Sequence, residues 1–135
     1  MTHAFLYLRG QRSDIFGMDC VPFDDFEPLS DGLLPIAKHD LHDGIPAASI
    51  KDHIREGLAD CMQPSKNNQC PSIPNFIVEA KYAYRYGEGV KLVQLQACHN
   101  GALGARAMHD LRSYGKDPET MYDGNACTIS TTYAH

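Results

Sequence analysis

The chain has 135 residues, of which 43% are hydrophobic and 21% charged, a composition typical of one globular domain rather than a disordered chain. No apolar stretch approaches the roughly 20 residues that a membrane helix needs, so a spanning protein is excluded and we expect no membrane partner. The first ten residues lack a secretory signal pattern, and the five cysteines form no CxxC pair. These features predict an intracellular protein, cytoplasmic or nuclear, with reduced thiols.

The formal net charge of −5 is unevenly distributed along the chain. Residues 1–60 contain 11 acidic and 5 basic side chains, whereas residues 61–135 contain 6 acidic and 7 basic ones. The halves therefore carry −6 and +1. This balance argues against a surface that binds nucleic acid all over, and it predicts that any polyanion contact lies in the second half.

Prolines and glycines are frequent in the first 48 residues, which favours short strands and turns over helix. Short strands are predicted over residues 4–9, 18–23 and 33–37. A helix is predicted over residues 49–62, where Ser49 and Asp52 resemble a capping box and apolar side chains repeat at helical spacing.

The second half predicts longer regular elements. A strand is expected over residues 75–81 and a helix over residues 90–114, with a break near residue 100 as the alternative. The small residues of this helix would allow another element to approach closely. A last strand is expected over residues 126–133.

These elements predict a single domain over residues 1–135, with an irregular acidic part (1–48) and a helix–strand–helix–strand core (49–135). The expected fold class is α/β or α+β, with a small mixed β-sheet flanked by two main helices. The sequence leaves the oligomeric state open.

Glu79 and Lys81 are the most informative pair, because alternate residues of a strand share one face. Burying either charge unpaired is costly, so the pair must be solvated, paired or bound to something. A carboxylate at this position, with an upstream Asp, can hold Mg²⁺ or Mn²⁺, while the lysine orients water or phosphate. The alternative is a salt-bridged strand face.

The Glu79-Ala80-Lys81 strand resembles the second motif of the PD-(D/E)XK nuclease superfamily, and Gln96 matches a glutamine often found on the following helix. The resemblance implies a nuclease-like core, catalytic roles for Glu79, Lys81 and Gln96, and a nucleic-acid phosphodiester as substrate. It also implies an upstream acidic metal ligand beside Glu79. Asp25 is the first candidate for that ligand, Asp24 the next, and Asp40 and Asp43 lie outside the expected pattern.

Segments 74–76, 79–81, 96–98, 101–106 and 122–126 together resemble an uncharacterised domain of filamentous-fungal proteins. This resemblance covers about half of the chain and implies kinship more than activity. Such domains usually continue with another strand, so we expect this chain to be shorter than the complete domain.

Other interpretations compete with the nuclease hypothesis. The fold could serve as a catalytically inactive, nuclease-like interaction module, which the net acidity and the missing first-motif Asp favour. The run from His39 to Asp43 indicates a solvated turn more than a zinc site. Tyr82, Tyr84 and Tyr86 indicate a strand face more than a base-stacking surface.

Overall fold

The computed structural model of the chain describes residues 16–19, 21–67, 69–81, 88–117 and 123–134. In this part, four strands and three α-helices follow one another in the order β1 (Phe16–Asp19), β2 (Leu41–Ile45), α1 (Asp52–Gly57), α2 (Ala59–Met62), β3 (Ser72–Lys81), α3 (Glu88–Ser113) and β4 (Ile129–Ala134). A 3₁₀ turn, Ala47–Ser49, precedes α1. The strand predicted over residues 4–9 lies outside the described residues.

The strands form one mixed sheet in the order β1-β2-β3-β4. β1, β2 and β3 are antiparallel neighbours, and β4 pairs with β3 in parallel. α3 connects β3 to β4 and packs against both. The predicted α/β class with a small mixed sheet is therefore confirmed. We call the edge where β3 and β4 end the C-terminal edge. Gly104 of α3 lies against Pro74 near the start of β3 and Asn100 contacts Glu79 near its end, so the first turns of α3 lie toward the C-terminal edge.

β2 is a strand where the sequence predicts none. The predicted solvated turn at residues 39–43 is wrong, since His39, His42 and Asp43 are all buried and β2 pairs with both β1 and β3. The strand predicted over residues 33–37 does not form. Leu33 and Ile36 are instead 87% and 68% exposed.

The helix predicted over residues 49–62 is divided into the 3₁₀ turn, α1 and α2. Lys51, not Ser49, is the N-cap of α1, and no side chain caps it, so the predicted capping box does not form. Gly57 lies against Tyr114, where a Cβ atom would come within 2.8 Å of the tyrosine ring. The Tyr114 hydroxyl donates a hydrogen bond to His53 O at 3.1 Å, which ties α1 to the end of α3.

α3 is continuous through residue 100, so the alternative break does not occur. The expected close approach at its small residues is confirmed. A Cβ atom at Gly104 would lie 2.5 Å from Pro74 O and 3.1 Å from Ile77 Cδ1, and one at Gly101 would lie 2.9 Å from Ser130 Cβ. None of the helices in the described ranges is long and apolar enough to cross a membrane.

The apolar core joins the sheet, α3 and the loop before β2. Its buried members are Phe23, Phe26, Ala37, Ile50, Met62, Ile73, Ile77, Leu103 and Ala107. Ile77 and Leu103 place this core against the middle of β3 and α3, so the more polar part of the α3–β3 interface lies nearer the C-terminal edge.

Gly104→Ala should destabilise the protein by roughly 1–3 kcal/mol, because the added methyl group meets the backbone carbonyl of Pro74, which cannot move aside cheaply. Urea unfolding measures this loss. Gly89→Ala is the matched control in the first turn of the same helix, where nothing lies within 4 Å of the added carbon. The control should keep or raise stability by up to about 1 kcal/mol, and an equal loss in both variants would contradict the packing argument.

Candidate functional site

Glu79 is the central acidic residue of the candidate site. It lies near the end of β3, on the face that α3 covers, and it is only 2% exposed. Its Oε1 accepts a short hydrogen bond from Asn100 Nδ2. A carboxylate this deeply buried needs partners, and this amide supplies one donor.

Asn100 is oriented by two acceptors. Its Nδ2 donates to Glu79 Oε1 and, at 3.1 Å, to Lys38 O. Since both partners can only accept, the amide nitrogen must face them and the amide oxygen must point elsewhere. Asn100 Oδ1 is buried and has no hydrogen-bond partner in the described structure.

Gln96 lies one turn before Asn100 on α3, nearer the C-terminal edge. Its Oε1 is also buried without a hydrogen-bond partner among the described residues. Leaving a buried carbonyl oxygen without a donor costs about 1–3 kcal/mol. The two buried oxygens, Asn100 Oδ1 and Gln96 Oε1, lie four residues apart on α3, and the amide nitrogen of Asn100 contacts the buried carboxylate of Glu79.

Asp40 is the second carboxylate at this site. Its Oδ2 accepts a hydrogen bond of 2.7 Å from Ala80 N, so the carboxylate lies against the peptide that links Glu79 to Ala80. Its own backbone N donates to Val78 O at 3.1 Å. The structure thus brings Asp40, which the sequence analysis set aside, beside the Glu79 segment.

Asp25 occupies a different environment. Its backbone N donates to Pro64 O at 3.2 Å, and its carboxylate lies 3.9 Å from Lys66 Nζ. It lines a shallow cavity of about 220 Å³ together with Arg55 and Met62. These contacts tie Asp25 to the loop that follows α2.

Lys81 is the last residue of β3 and pairs with Ala134 of β4. Its side chain lies outside the described part of the structure, as do Tyr82, Tyr84 and Tyr86.

The donor set suits a hard cation. Glu79 and Asp40 offer carboxylate oxygens, the ligand type that Mg²⁺ and Mn²⁺ prefer. No group of three or more His, Cys, Asp or Glu side chains able to hold a metal occurs within the described ranges. A cation bound at this end of β3 would be held by carboxylate oxygens, with water completing its coordination.

His39 and His42 form a second buried polar cluster, with Cys70. His42 Nε2 lies 3.1 Å from Pro71 O, so it carries the proton and donates. His42 Nδ1 must then accept from His39 Nε2, at 2.5 Å. His39 Nδ1 is left buried with no hydrogen-bond partner in the described structure.

Cys70 is not activated by this pair. Its Sγ lies 3.8 Å from His42 Nε2, but that nitrogen already donates to Pro71 O and cannot take the thiol proton. Burial, together with the nearby Asp24, raises the pKa of Cys70 to about 11. The thiol therefore stays protonated and inert at neutral pH.

The two arginines of α3, Arg106 and Arg112, both contact other segments of the chain. Arg106 donates to the backbone carbonyls of Glu27 and Pro28, and Arg112 forms an ion pair with Asp123. Lys91 is exposed.

No protein-family model, curated protein or solved structure matches this chain. The resemblances to the PD-(D/E)XK superfamily and to a fungal domain therefore stay predictions.

Proposed function

We propose that this chain is a divalent-metal-dependent, nuclease-like domain that acts on phosphodiesters of nucleic acid. One observation carries the proposal: Asp40, just before β2, lies against the peptide that links Glu79 to Ala80, and Asn100 Oδ1 and Gln96 Oε1 on the neighbouring helix α3 are buried without a hydrogen-bond partner in the described structure. A hydrated cation at this end of the sheet would supply donors for such oxygens through its bound water.

In this proposal Asp40 and Glu79 hold Mg²⁺ or Mn²⁺. A cation held there would supply an activated water and would neutralise charge on the phosphate. Lys81, at the end of β3, positions the scissile phosphate, and Gln96 Oε1 accepts a hydrogen bond from the attacking water. The side chain of Asn100 keeps the Glu79 carboxylate in place.

The charge distribution supports a nucleic-acid substrate at this edge. Glu79, Lys81 and Gln96 lie in the half of the sequence with a net charge of +1, whereas Asp40 comes from the acidic half. We place the domain in a reducing, intracellular compartment, because Cys61, Cys70, Cys98 and Cys127 are all free thiols.

The second candidate is an inactive interaction module with a nuclease-like core. The burial of Glu79 favours this second candidate. A carboxylate that is only 2% exposed can contact a substrate only after neighbouring residues move aside. A module of this kind would bind nucleic acid or protein without cleaving it.

Mn²⁺ titration with thermal unfolding tests the proposal. A cation at 100 times its dissociation constant stabilises the native protein by about 2.7 kcal/mol, and Glu79→Gln or Asp40→Asn should abolish that gain. Asp25→Asn is the control, because Asp25 lies beside Lys66. Cleavage of single- and double-stranded DNA and RNA with Mg²⁺ or Mn²⁺ is measured in parallel.

The outcomes separate the two candidates. Stabilisation with cleavage, lost in both site variants and kept in Asp25→Asn, is the expected result. A native protein that Mn²⁺ does not stabilise would contradict the metal site, and stabilisation without cleavage of any substrate would favour the inactive module.

A further inference from the structure

Asn100 lies where three segments meet: the middle of α3, the end of β3 and the residues that lead into β2. It is 1% exposed, and its Nδ2 reaches both Lys38 O and Glu79 Oε1. Burying an asparagine side chain this completely lowers the stability of the fold unless hydrogen bonds offset the loss of solvation.

The register of the β2–β3 ladder shifts between Asp43 and Ile45, and a second departure from regular pairing precedes β2, at Asp40. Leu41 is the ladder partner of Val78, yet the backbone N of Asp40 also donates to Val78 O at 3.1 Å. Two consecutive residues thus oppose one, which is the geometry of a β-bulge.

Beyond the bulge, a continued antiparallel ladder would pair Ala80 N with Lys38 O. The structure shows an exchange of partners instead. Ala80 N donates to Asp40 Oδ2 at 2.7 Å, and Lys38 O accepts from Asn100 Nδ2 at 3.1 Å. The side chain of Asp40 thus takes the place of Lys38 O as the acceptor, and the side chain of Asn100 takes the place of Ala80 N as the donor.

We propose that Asn100 is a positioning residue for both carboxylates of the site. It holds Glu79 directly. By occupying Lys38 O, it also leaves the N–H of Ala80 to Asp40, which fixes the second carboxylate beside the first. The role of these carboxylates as cation ligands rests on the proposed function, whereas the exchange of partners does not.

The physical reason is that a buried backbone carbonyl is nearly always paired. Without the amide of Asn100, Lys38 O gains most by accepting from Ala80 N, which completes the ladder. Asp40 then loses its donor and turns away from the Glu79–Ala80 peptide. An amide suits this place because both of its partners are acceptors, and a carboxylate there would supply no donor.

The Ala80 amide resonance reports the exchange in solution, without any metal. In the native background, Asp40→Asn should move this resonance, because the charged hydrogen-bond acceptor is replaced by a neutral one. In the Asn100→Leu background, the same Asp40→Asn change should leave the resonance where it is. Gln96→Leu, one turn away on α3, is the matched control and should preserve the response to Asp40→Asn.

A measurement on the native protein covers the case in which Asn100→Leu does not fold. The Ala80 nitrogen should show a coupling across the hydrogen bond to the side-chain carboxyl carbon of Asp40. A coupling to the carbonyl carbon of Lys38 instead would overturn the proposal, and so would an equal response to Asp40→Asn in both backgrounds.

Metal titration then separates this inference from the proposed function. If both hold, Asn100→Leu weakens Mn²⁺ binding about tenfold to a hundredfold, the usual effect of removing a group that orients a ligand. If Asn100→Leu removes the response of the Ala80 resonance to Asp40→Asn but Mn²⁺ does not stabilise the native protein, the positioning role stands and the metal-dependent function fails.

Discussion

Lowering the pH from 7.5 to 5 should reduce the free energy of unfolding by about 4 kcal/mol, because His39 and His42 are buried in their neutral forms. Burial, and then the neighbouring His42, lower the pKa of His39 to about 3. Burial lowers the pKa of His42 to about 4, although its bond to Pro71 O opposes this shift. The two rings are 2% and 0% exposed.

The direction follows from the protons bound in each state. In the unfolded chain both histidines have a pKa of about 6.5, so they take up protons below that pH while the folded protein does not. Their contribution to stability is complete above pH 6.5 and is lost as the pH falls toward 4 and 3. Each histidine then contributes up to about 1.4 kcal/mol per pH unit.

Urea unfolding at pH 7.5, 6 and 5 measures this dependence. The charged groups nearest the pair are Asp40 and Asp43, which flank His42 along the chain, and Asp24, which lies near Cys70.

Replacing each histidine in turn isolates the effect. His39→Phe should remove about half of the loss between pH 7.5 and 5, and His109→Gln, an exposed position on α3, should remove none. If the free energy of unfolding stayed constant down to pH 5, the folded protein would take up protons on both histidines as readily as the unfolded chain. That result would contradict the prediction.

The parts of the fold that could be predicted are those with long, one-sided patterns. β3 and α3 were expected because apolar and small residues repeat at strand or helix spacing over many positions. β2 could not be predicted in this way, because its five residues include a histidine, an aspartate and a glycine. Its burial depends on partners distant in sequence, such as Ile77 and Pro71.

The residues of the candidate site also differ in whether local sequence patterns can predict them. Glu79 and Gln96 follow from local patterns, since one lies in a recognisable strand and the other on the next helix. Asp40 was set aside because the bulge that brings it to Ala80 depends on the pairing of β2 with β3. Asn100 left a signal that could have been used: it is the polar residue within the buried stripe Val93, Ala97, Leu103, Gly104 and Ala107 of α3.

Replacing Glu79 and Asn100 together by leucine should give a protein at least as stable as the native one, whereas each single replacement should cost roughly 1–3 kcal/mol. Glu79→Leu leaves one buried amide proton of Asn100 without its acceptor, and Asn100→Leu takes the amide donor away from a buried carboxylate. The double variant removes both polar groups and lets Lys38 O pair with Ala80 N. Urea unfolding of the four proteins gives the coupling energy directly.

A strongly non-additive result would mean that the native protein retains a polar cluster that its stability does not require, as expected of a functional site. Additive losses in the double variant would instead assign Glu79 and Asn100 to the architecture of the α3–β3 interface. Asp52→Ala with Arg55→Ala, an exposed ion pair on α1, is the matched control cycle. Its coupling should not exceed about 0.5 kcal/mol, because solvent screens a pair that lies outside the core.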